Sequence, residues 1–308
     1  MRILVLGATG YLGGHVVDRL RALPSTRLLV GGRSPDADVT VDLARGGPRD
    51  LAEALAAAAP AVVVNCAGAT GGDAVTLAEV NARGPAALCA ALRAAAPAAR
   101  LVHLGSAAEY GPGTPGLRVT ESDPTSPAAP YGASKLAGTV AVTASGLDAV
   151  VLRVGNPVGP GAPSTGLPGR VAALLGDAGR DPDATLRLGD LSAHRDFVDV
   201  RDVARAAELA ATAVGPLPPI LNVGGGEAIP VRELVRRLAT AAGFRGRIAE
   251  AGGGGSARSA QVSWQCSDIT AARDALGWRP SHSLDASLTA LWAAAGARSA
   301  RPEGVPAP

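Results

Sequence analysis

Short apolar runs alternate with helix-length segments along the first half of this chain, and this alternation constrains the fold most strongly. The expected strands are Ile3–Leu6, Leu28–Gly31, Val62–Asn65, Leu101–Gly105 and Ala149–Val154. The expected helices are Tyr11–Leu23, Arg49–Ala58, Ala74–Ala95 and Tyr131–Ala144. Each strand is a continuous hydrophobic run, which is typical of a parallel sheet covered by helices on both faces. The sequence therefore predicts an α/β fold with a doubly wound parallel sheet of the Rossmann type.

The pattern changes after Val154. Residues 156–164 are rich in glycine and proline, and shorter elements follow each other irregularly. We expect these at Leu186–Leu188, Asp196–Val200, Arg201–Ala213, Leu221–Val223, Pro230–Ala242 and Ile269–Leu276. We interpret residues 1–156 as a Rossmann core to which elements near 196–223 return, and residues 157–308 as mainly a smaller mixed α/β lobe. Gly252–Ser256 is expected to be a flexible loop, and residues 297–308 a disordered tail.

The composition argues against several classes of protein. Hydrophobic residues make up 47% of the chain and aromatic residues only 3%, so the core must be aliphatic. The net charge is +2 without an arginine-rich stripe, which argues against nucleic-acid binding. We find no apolar stretch of the roughly 20 residues that a membrane span needs. Met1 leads directly into a strand without a signal-peptide pattern, so we expect a cytoplasmic protein.

Cysteine and histidine give no metal-binding pattern. Cys66, Cys89 and Cys266 are odd in number and far apart, so we predict reduced thiols in the core. The 4 histidines do not cluster in the sequence, and we therefore expect no metal site.

A glycine-rich loop joins the first expected strand to the first expected helix. It consists of Gly7-Ala8-Thr9-Gly10-Tyr11-Leu12-Gly13. Glycines here permit a tight turn and let backbone N–H groups approach a pyrophosphate at the helix N-terminus. An ordinary strand–helix turn does not need glycines at this spacing. We therefore expect dinucleotide binding, with contacts from Gly7, Thr9, Gly10, Tyr11 and Leu12.

The end of the second strand indicates which nicotinamide cofactor is preferred. It consists of Val30-Gly31-Gly32-Arg33-Ser34. NAD sites usually carry a carboxylate here for the ribose 2′-hydroxyl, whereas an arginine suits a 2′-phosphate. Because glycines replace the acid and Arg33 follows, NADP(H) is favoured and NAD(H) stays possible; Arg33 could also be an ordinary solvent-facing arginine. Asp42 could hydrogen-bond the adenine amine, or it could only cap the next helix.

Lys135 is the only lysine among 29 basic residues, and it follows Tyr131 by four positions. Since arginine serves wherever a positive charge suffices, this lysine is expected to do what a wide guanidinium cannot, namely fit beneath a ribose. The spacing places Tyr131 and Lys135 on one helix face. A phenol has a pKa of about 10, and a nearby ammonium lowers it toward neutral pH. A core tyrosine followed by a solvated lysine would not account for the scarcity of lysine, so the pair is a candidate acid–base site.

Ser106 ends the fourth expected strand, in Leu104-Gly105-Ser106-Ala107-Ala108-Glu109-Tyr110-Gly111. This is the carboxyl edge of a parallel sheet, where ligands bind. Its hydroxyl could hold a substrate carbonyl beside Tyr131. Ser106, Tyr131 and Lys135 are thus the candidate catalytic residues.

Together these features resemble the extended short-chain dehydrogenase/reductase family, the group of nucleotide-sugar epimerases, dehydratases and reductases. The resemblance covers nearly the whole chain. Besides the glycine loop and the segments around Ser106 and Tyr131, it rests on Asp42-Leu43, Asn65–Ala69, Asn81, Arg153–Gly161, Arg195–Ala204, Asn222–Gly226 and Leu276–Trp278.

The resemblance implies a role for individual residues. Ser106 and Tyr131 would bind the reacting oxygen, with Tyr131 as the acid–base group, and Lys135 would hold the nicotinamide ribose. A nucleotide-sugar diphosphate, which a pair of arginines suits, would be contacted by Asn156, Arg195 and Arg258, although either arginine could simply lie at the surface. The cofactor would also contact Leu43, Ala67, Gly68, Ala69 and Val154, and the substrate Ala107, with the smaller lobe binding the substrate.

Departures from the family pattern narrow the reaction. Dehydratases of the family carry an Asp-Glu pair directly after the Ser/Thr, and these positions are Ala107 and Ala108 here. Epimerase-reductases that enolise the sugar place a cysteine at the position of Ala108. Simple hydride chemistry at one carbonyl remains. Asp199 replaces a histidine often found in its motif, with no consequence that the sequence shows.

We therefore predict an NADPH-dependent ketoreductase whose favoured substrate is a nucleoside-diphosphate 4-keto-6-deoxy sugar. The alternatives are an NAD-dependent 4-epimerase, a ketoreductase for a polyketide or aglycone ketone, and a non-enzymatic NADP-sensing regulator, which the intact Ser106, Tyr131 and Lys135 disfavour. We also expect a homodimer. The helices expected at Ala74–Ala95 and Tyr131–Ala144 are apolar or small nearly all round, so two copies could form a four-helix bundle.

Overall fold

The structure of the protein is a computed structural model that describes residues 1–179, 181–250 and 262–299. Its strands are β1 (Arg2–Leu6), β2 (Arg27–Gly32), β3 (Val39–Thr40), β4 (Val62–Asn65), β5 (Arg100–Ser106), β6 (Ala149–Val154), β7 (Asn156–Val158), β8 (Thr185–Leu188), β9 (His194–Asp199), β10 (Ile220–Val223), β11 (Ala228–Pro230) and β12 (Arg247–Glu250). Its helices are α1 (Tyr11–Arg21), α2 (Pro48–Ala58), α3 (Ala74–Ala78), α4 (Gly84–Ala95), α5 (Pro130–Thr143), α6 (Leu167–Ala178), α7 (Val200–Thr212), α8 (Val231–Ala241), α9 (Thr270–Leu276) and α10 (Leu284–Ser299). A π-helical turn (Glu79–Arg83) joins α3 to α4, and a 3₁₀ turn (Ala107–Glu109) follows β5.

Seven strands form one sheet in the order β10-β6-β5-β4-β1-β2-β3, and every pair in it is parallel. This confirms the predicted doubly wound parallel sheet. The order reverses direction between β1 and β4. The loops that follow these two strands therefore face a single crevice at the carboxyl edge, which is where ligands bind in sheets of this type.

Aliphatic side chains cover both faces of the sheet. On one face Val16 and Leu20 of α1 pack with α7 and with Trp278, whose indole N–H donates to the Asp202 carbonyl at 2.9 Å. On the other face α2 and α4 contribute Leu51 and Leu88 among other leucines and alanines. This packing on both sides is why the strands are hydrophobic without alternation.

The second half of the chain divides its elements between the sheet and a smaller lobe. β10 pairs with β6 at the sheet edge, and α7 packs on the sheet. β7, β9 and β11 form a separate three-stranded sheet, and β8 pairs with β12. Leucine and valine side chains of α6, α8 and α10 form the core of this lobe. A domain boundary near residue 156 stays a prediction.

The single helix expected at Ala74–Ala95 is wrong, because the π turn interrupts it. Pro85 has no N–H to donate to the carbonyl of Asn81, and the N–H of Gly84 bonds to Glu79, five residues earlier. The freed carbonyl lies against α5: a Cβ on Gly138 would be 2.2 Å from the Asn81 oxygen. Turns of this kind are frequent at functional sites.

Some short elements and two helices were not expected from the sequence. These are β3, β7, β11, β12, α6 and α10. Helix α10, which buries Leu288 and Leu291 in the lobe core, extends to Ser299 and so overlaps the first residues of the tail that is predicted to be disordered from residue 297. The rest of that tail and Gly252–Ser256 lie outside the described residues. Within the described ranges, no helix has the length and apolar character that crossing a bilayer requires.

Candidate active site

The glycine loop after β1 has a geometry that only glycine allows. Gly7 has φ of +78°, and a Cβ there would lie 2.6 Å from the Ala67 nitrogen. A Cβ on Gly13 would lie 2.0 Å from the Gly7 carbonyl oxygen. The N-terminus of α1 thus packs directly on the loop, while Thr9 and Gly10 are exposed. This cradle fits the pyrophosphate of a dinucleotide, which binds backbone N–H groups at a helix N-terminus.

The next two predicted cofactor contacts use their side chains for packing. The Tyr11 hydroxyl donates to the Gly159 carbonyl at 3.3 Å, and its ring meets His15 edge-on at 5.8 Å between centroids. Leu12 packs against the core of the sheet. We therefore expect their contact with the cofactor to come from the backbone.

The end of β2 leaves room at one glycine and not at the other. A Cβ on Gly31 would lie 2.5 Å from Cδ2 of Leu6, whereas one on Gly32 meets nothing within 4 Å. A side chain that reached the cofactor would therefore start from position 32. Arg33 is exposed directly after the strand. Position 32 is sterically open, carries no carboxylate of its own and is followed by an exposed arginine, which fits a phosphorylated ribose.

Asp42 and Leu43 lie in the turn before α2. One Asp42 carboxylate oxygen accepts the N–H groups of Ala44 at 2.9 Å and Arg45 at 3.3 Å. It therefore caps this turn and does not cap α2, whose N-cap residue is Gly47. Leu43 is buried in the core under α2 and α4. The adenine contact of Asp42 stays a prediction.

Asn81 in the π turn holds the loop after β4 against α5. Its side chain accepts from the N–H of Ala69 at 2.9 Å and donates to the Ala69 carbonyl at 2.8 Å and to Oγ of Ser134 at 3.1 Å. A Cβ on Gly68 would be 3.9 Å from Nζ of Lys135. The segment from Ala67 to Ala69, predicted to contact the cofactor, is thereby fixed next to the lysine.

Ser106 ends β5 and begins the 3₁₀ turn. Its Oγ accepts from the N–H of Ala108 at 3.2 Å, and its own N–H donates to Glu109 at 2.7 Å. Ala107 is buried. The serine backbone is therefore fixed by its own turn at the carboxyl edge of the sheet.

One glycine brings α5 to this turn, and a second brings it to the π turn. A Cβ on Gly132 would lie 2.4 Å from the Ala108 carbonyl oxygen, and Gly138 packs on Asn81 in the same way. Tyr131, in the first turn of α5, therefore lies beside the Ser106 turn. The structure thus brings Ser106, Tyr131 and Lys135 to one place, as the sequence predicted, although their catalytic roles stay predictions.

Lys135 is a buried ammonium beneath the crevice. Lys135 is only 5% exposed, and its Nζ donates to the Leu104 carbonyl at 2.5 Å. Burial lowers its pKa from 10.5 to about 8, against the opposing influence of Glu109 and Cys66. Burial also raises the pKa of the Cys66 thiol to about 12. The lysine is therefore poised to change charge near the working pH range.

Two of the predicted substrate residues, Asn156 and Arg195, lie on the paired strands β7 and β9. The Asn156 side chain donates to the Asp196 carbonyl at 3.0 Å and to Oε1 of Gln265 at 2.8 Å. Arg195 is buried, donates to the His194 carbonyl at 2.9 Å, and its pKa is lowered by burial. Val154 is buried at the end of β6. Arg258 lies outside the described residues.

Asp196 connects three segments of the chain next to these residues: β9 itself and the segments that contain Gly225 and Ser267. Its carboxylate accepts from the N–H groups of Gly225 at 2.5 Å, Gly226 at 3.1 Å and Ser267 at 2.9 Å. Burial raises its pKa to about 6, partly offset by these hydrogen bonds. The sequence did not predict the hydrogen bonds of Gln265 and Asp196, because their partners lie far away along the chain.

Asp199 has a structural role that the sequence did not show. It accepts from the backbone N–H of Arg201 at 2.8 Å and from the Arg201 guanidinium, and Oγ of Ser287 donates to it at 2.6 Å. It therefore caps α7 and ties it to α10. Across residues 1–179, 181–250 and 262–299, no three His, Cys, Asp or Glu side chains are grouped so that they could hold a metal ion.

A parallel sheet with this strand order, a glycine cradle after β1 and a buried lysine one helical turn from a tyrosine are together typical of NAD(P)-dependent oxidoreductases. Residues 3–224 match the NAD dependent epimerase/dehydratase family. The chain therefore belongs to this family, which lies within the extended short-chain dehydrogenases/reductases and modifies nucleotide sugars.

Individual relatives agree with this assignment. The chain is 39% identical over 305 residues, covering 95% of both sequences, to a dTDP-6-deoxy-L-talose 4-dehydrogenase (NAD(P)(+)) of Kitasatospora kifunensis. Among solved structures, RMD from Pseudomonas aeruginosa complexed with NADPH superposes with a TM-score of 0.81 at 26% identity, covering 96% of this chain and 99% of that one. UDP-glucose 4-epimerase from Thermus thermophilus, in complex with NAD, gives 0.80 at 29% identity, covering 98% and 100%.

Proposed function

We propose that the protein is an NADPH-dependent ketoreductase that reduces the 4-keto group of a nucleoside-diphosphate 4-keto-6-deoxy sugar. The observation that carries the proposal is the placement of Tyr131 and buried Lys135 beside Ser106, with only Ala107 and Ala108 where dehydratases have two acids. The relative from Kitasatospora kifunensis supports the substrate class, because a 4-dehydrogenase of a dTDP-6-deoxy sugar interconverts a 4-hydroxyl and a 4-keto group.

Each residue of the site would have its own role in a carbonyl reduction. The nicotinamide cofactor supplies the hydride when it is bound. Ser106 would donate a hydrogen bond to the carbonyl oxygen, and Tyr131 would donate the proton that completes the alcohol. The Lys135 ammonium would stabilise the phenolate that remains. Buried Arg195 would contact the diphosphate, for which a guanidinium is well suited.

The test is NADPH oxidation by the purified protein with a panel of ketones. We expect turnover with dTDP-4-keto-6-deoxy sugars and little with polyketide or aglycone ketones. The likeness to an NAD-bound 4-epimerase supplies the rival function. Interconversion of two sugar 4-epimers without net consumption of NADPH would establish that rival and end the reductase proposal.

The preference for NADPH is expected to depend on Arg33. Losing a charge-assisted contact to the 2′-phosphate costs about 1.5–3 kcal/mol, so Arg33→Ala should weaken NADPH binding at least about tenfold and leave NADH binding nearly unchanged. Binding is measured by titrating cofactor fluorescence. Arg27→Ala is the matched control, since Arg27 is exposed at the opposite end of β2. Equal affinity of the unmodified protein for both cofactors would refute the preference.

The homodimer is expected to form through α4 and α5. Val140, near the C-terminal end of α5, is 55% exposed and stands on a helix made mostly of small and apolar residues. We expect a dimer mass by light scattering, and Val140→Arg should shift it to the monomer because it buries a charge at the interface. Val214→Arg, on the fully exposed Val214, is the control. A monomer mass that does not change with concentration would rule out the dimer.

A further inference from the structure

A buried ion pair lies directly behind the Ser106 turn. Glu109 is 0% exposed and Arg153, on β6, is 3% exposed; Nε of Arg153 donates to Oε2 of Glu109 at 2.8 Å. The other carboxylate oxygen, Oε1, accepts the backbone N–H of Ser106 at 2.7 Å. The Arg153 guanidinium also lies 4.5 Å from the centre of the Tyr110 ring. One carboxylate therefore joins the backbone of Ser106 to a buried cation.

The fold makes space for this carboxylate. A Cβ on Gly105 would lie 2.8 Å from Oε1 of Glu109, so a side chain at position 105 would exclude it. Burying two charges is costly, and such pairs can often be replaced by apolar residues without loss of stability. Stability alone therefore explains poorly why a glutamate is buried here. The residues around Glu109 give a better explanation.

Glu109 and Lys135 approach the same stretch of β5, because Nζ of Lys135 donates to the Leu104 carbonyl and Oε1 of Glu109 accepts the Ser106 N–H two residues further on. The titratable groups that act on Lys135 from the surrounding elements are Glu109 of the 3₁₀ turn, Cys66 after β4 and His103 of β5. The Cys66 thiol stays neutral because burial raises its pKa to about 12. Burial, with Lys135, lowers the pKa of His103 well below 6.5, so the imidazole is neutral as well. Tyr131 lies one helical turn from Lys135, and Arg153, which pairs with Glu109, is not among the groups that act on Lys135.

We propose that Glu109 is a positioning residue of the reaction: it fixes the backbone of Ser106 through one oxygen, and its charge keeps Lys135 in the ammonium form. This role rests on the functions proposed for Ser106 and Lys135. Glu109 does not touch the reacting atoms. It acts through two residues on different elements, which it can reach only because Gly105 leaves the space free.

The single lysine allows a direct test without substrate. In protein labelled with [¹³C]lysine, the side-chain NMR signal comes from Lys135 alone. We expect the titration midpoint of the unmodified protein to lie well below the usual value, near the pKa of about 8 that burial gives Lys135. Loss of the Glu109 charge should move the midpoint further down, because a nearby anion favours the charged form of the amine.

Two double variants separate the charge from the hydrogen bond. Glu109→Gln alone would strand the Arg153 charge and could unfold the protein, so Arg153→Met accompanies each change. Glu109→Gln/Arg153→Met removes the charge and keeps an acceptor for the Ser106 N–H, whereas Glu109→Val/Arg153→Met removes both. Glu121→Gln is the control, because Glu121 accepts from the Asn222 N–H and does not act on Lys135.

The expected result has two parts. Both double variants lower the Lys135 midpoint and the control does not. At a pH where Lys135 is protonated in both double variants, the valine variant turns over at least about tenfold more slowly than the glutamine variant, because only it frees the Ser106 backbone. An unchanged midpoint would overturn the charge role, and equal turnover would overturn the positioning of Ser106. Failure of the proposed reduction would show as no turnover by the unmodified protein, while the NMR titration would still decide the effect on Lys135.

Discussion

Replacing Tyr131 with phenylalanine is expected to lower turnover by about 10²–10⁴-fold, the usual contribution of a positioned acid–base group. The change keeps the ring in the first turn of α5, where Gly132 packs on Ala108, and removes only the transferable proton. NADPH binding should be nearly retained, because Lys135 and the glycine cradle are untouched. The loss should therefore appear in kcat and kcat/KM together.

Turnover is measured from NADPH oxidation, and cofactor affinity by fluorescence titration. Tyr110→Phe is the matched control, because the buried Tyr110 hydroxyl already donates to the Asn222 side chain at 2.8 Å. That variant should lose about 0.5–1.5 kcal/mol of unfolding free energy and less than about tenfold in turnover. Turnover of Tyr131→Phe within a factor of a few of the unmodified protein would contradict the proposed proton donor.

The fold could be predicted where the sequence pattern and the tertiary context agree. The five strands expected in the sheet all occur in it, because a strand buried on both faces leaves a continuous apolar run. β7 and β11 have three residues each, too few for a periodic signal, and they exist only by pairing with β9. The π turn was missed because a helical hydrophobic pattern continues across it, and the local signal of a break was the pair Gly84-Pro85.

The sequence predicts the chemical groups of the site, but not the side chains that hold those groups in place. Ser106, Tyr131 and Lys135 are the residues proposed to carry the chemistry, and their residue types and spacing predict this role. The supports act over long sequence distances: Asn81 bonds to Ser134, and Gln265 bonds to Asn156. A single sequence gives no sign of which distant side chains meet. Glu109 did leave a local signal, a charged residue beside a strand that is buried throughout.

Lys135→Arg is expected to lower both NADPH affinity and turnover, each by at least about tenfold. Lys135 occupies a closed space: Nζ donates to the Leu104 carbonyl at 2.5 Å, and a Cβ on Gly68 would lie 3.9 Å from Nζ. An added guanidinium keeps the positive charge but needs a wider space and donates in one plane. Overpacking a closed site in this way also costs about 1–3 kcal/mol of unfolding free energy, which a urea titration measures.

The pH dependence separates the shape of the lysine from its charge. The pKa of Lys135 is lowered to about 8, so the ammonium is lost as the pH rises through that value. The kcat/KM of the unmodified protein should therefore fall above about pH 8, following the free enzyme. Arginine stays charged in this range, so Lys135→Arg should be slow at every pH and lack that fall. Lys135→Met, which removes the charge and keeps a similar length, is the control and should also be slow below pH 8. If Lys135→Arg were as active as the unmodified protein, a guanidinium would suffice at this position. The inference from a chain with one lysine would then be wrong, whatever its family.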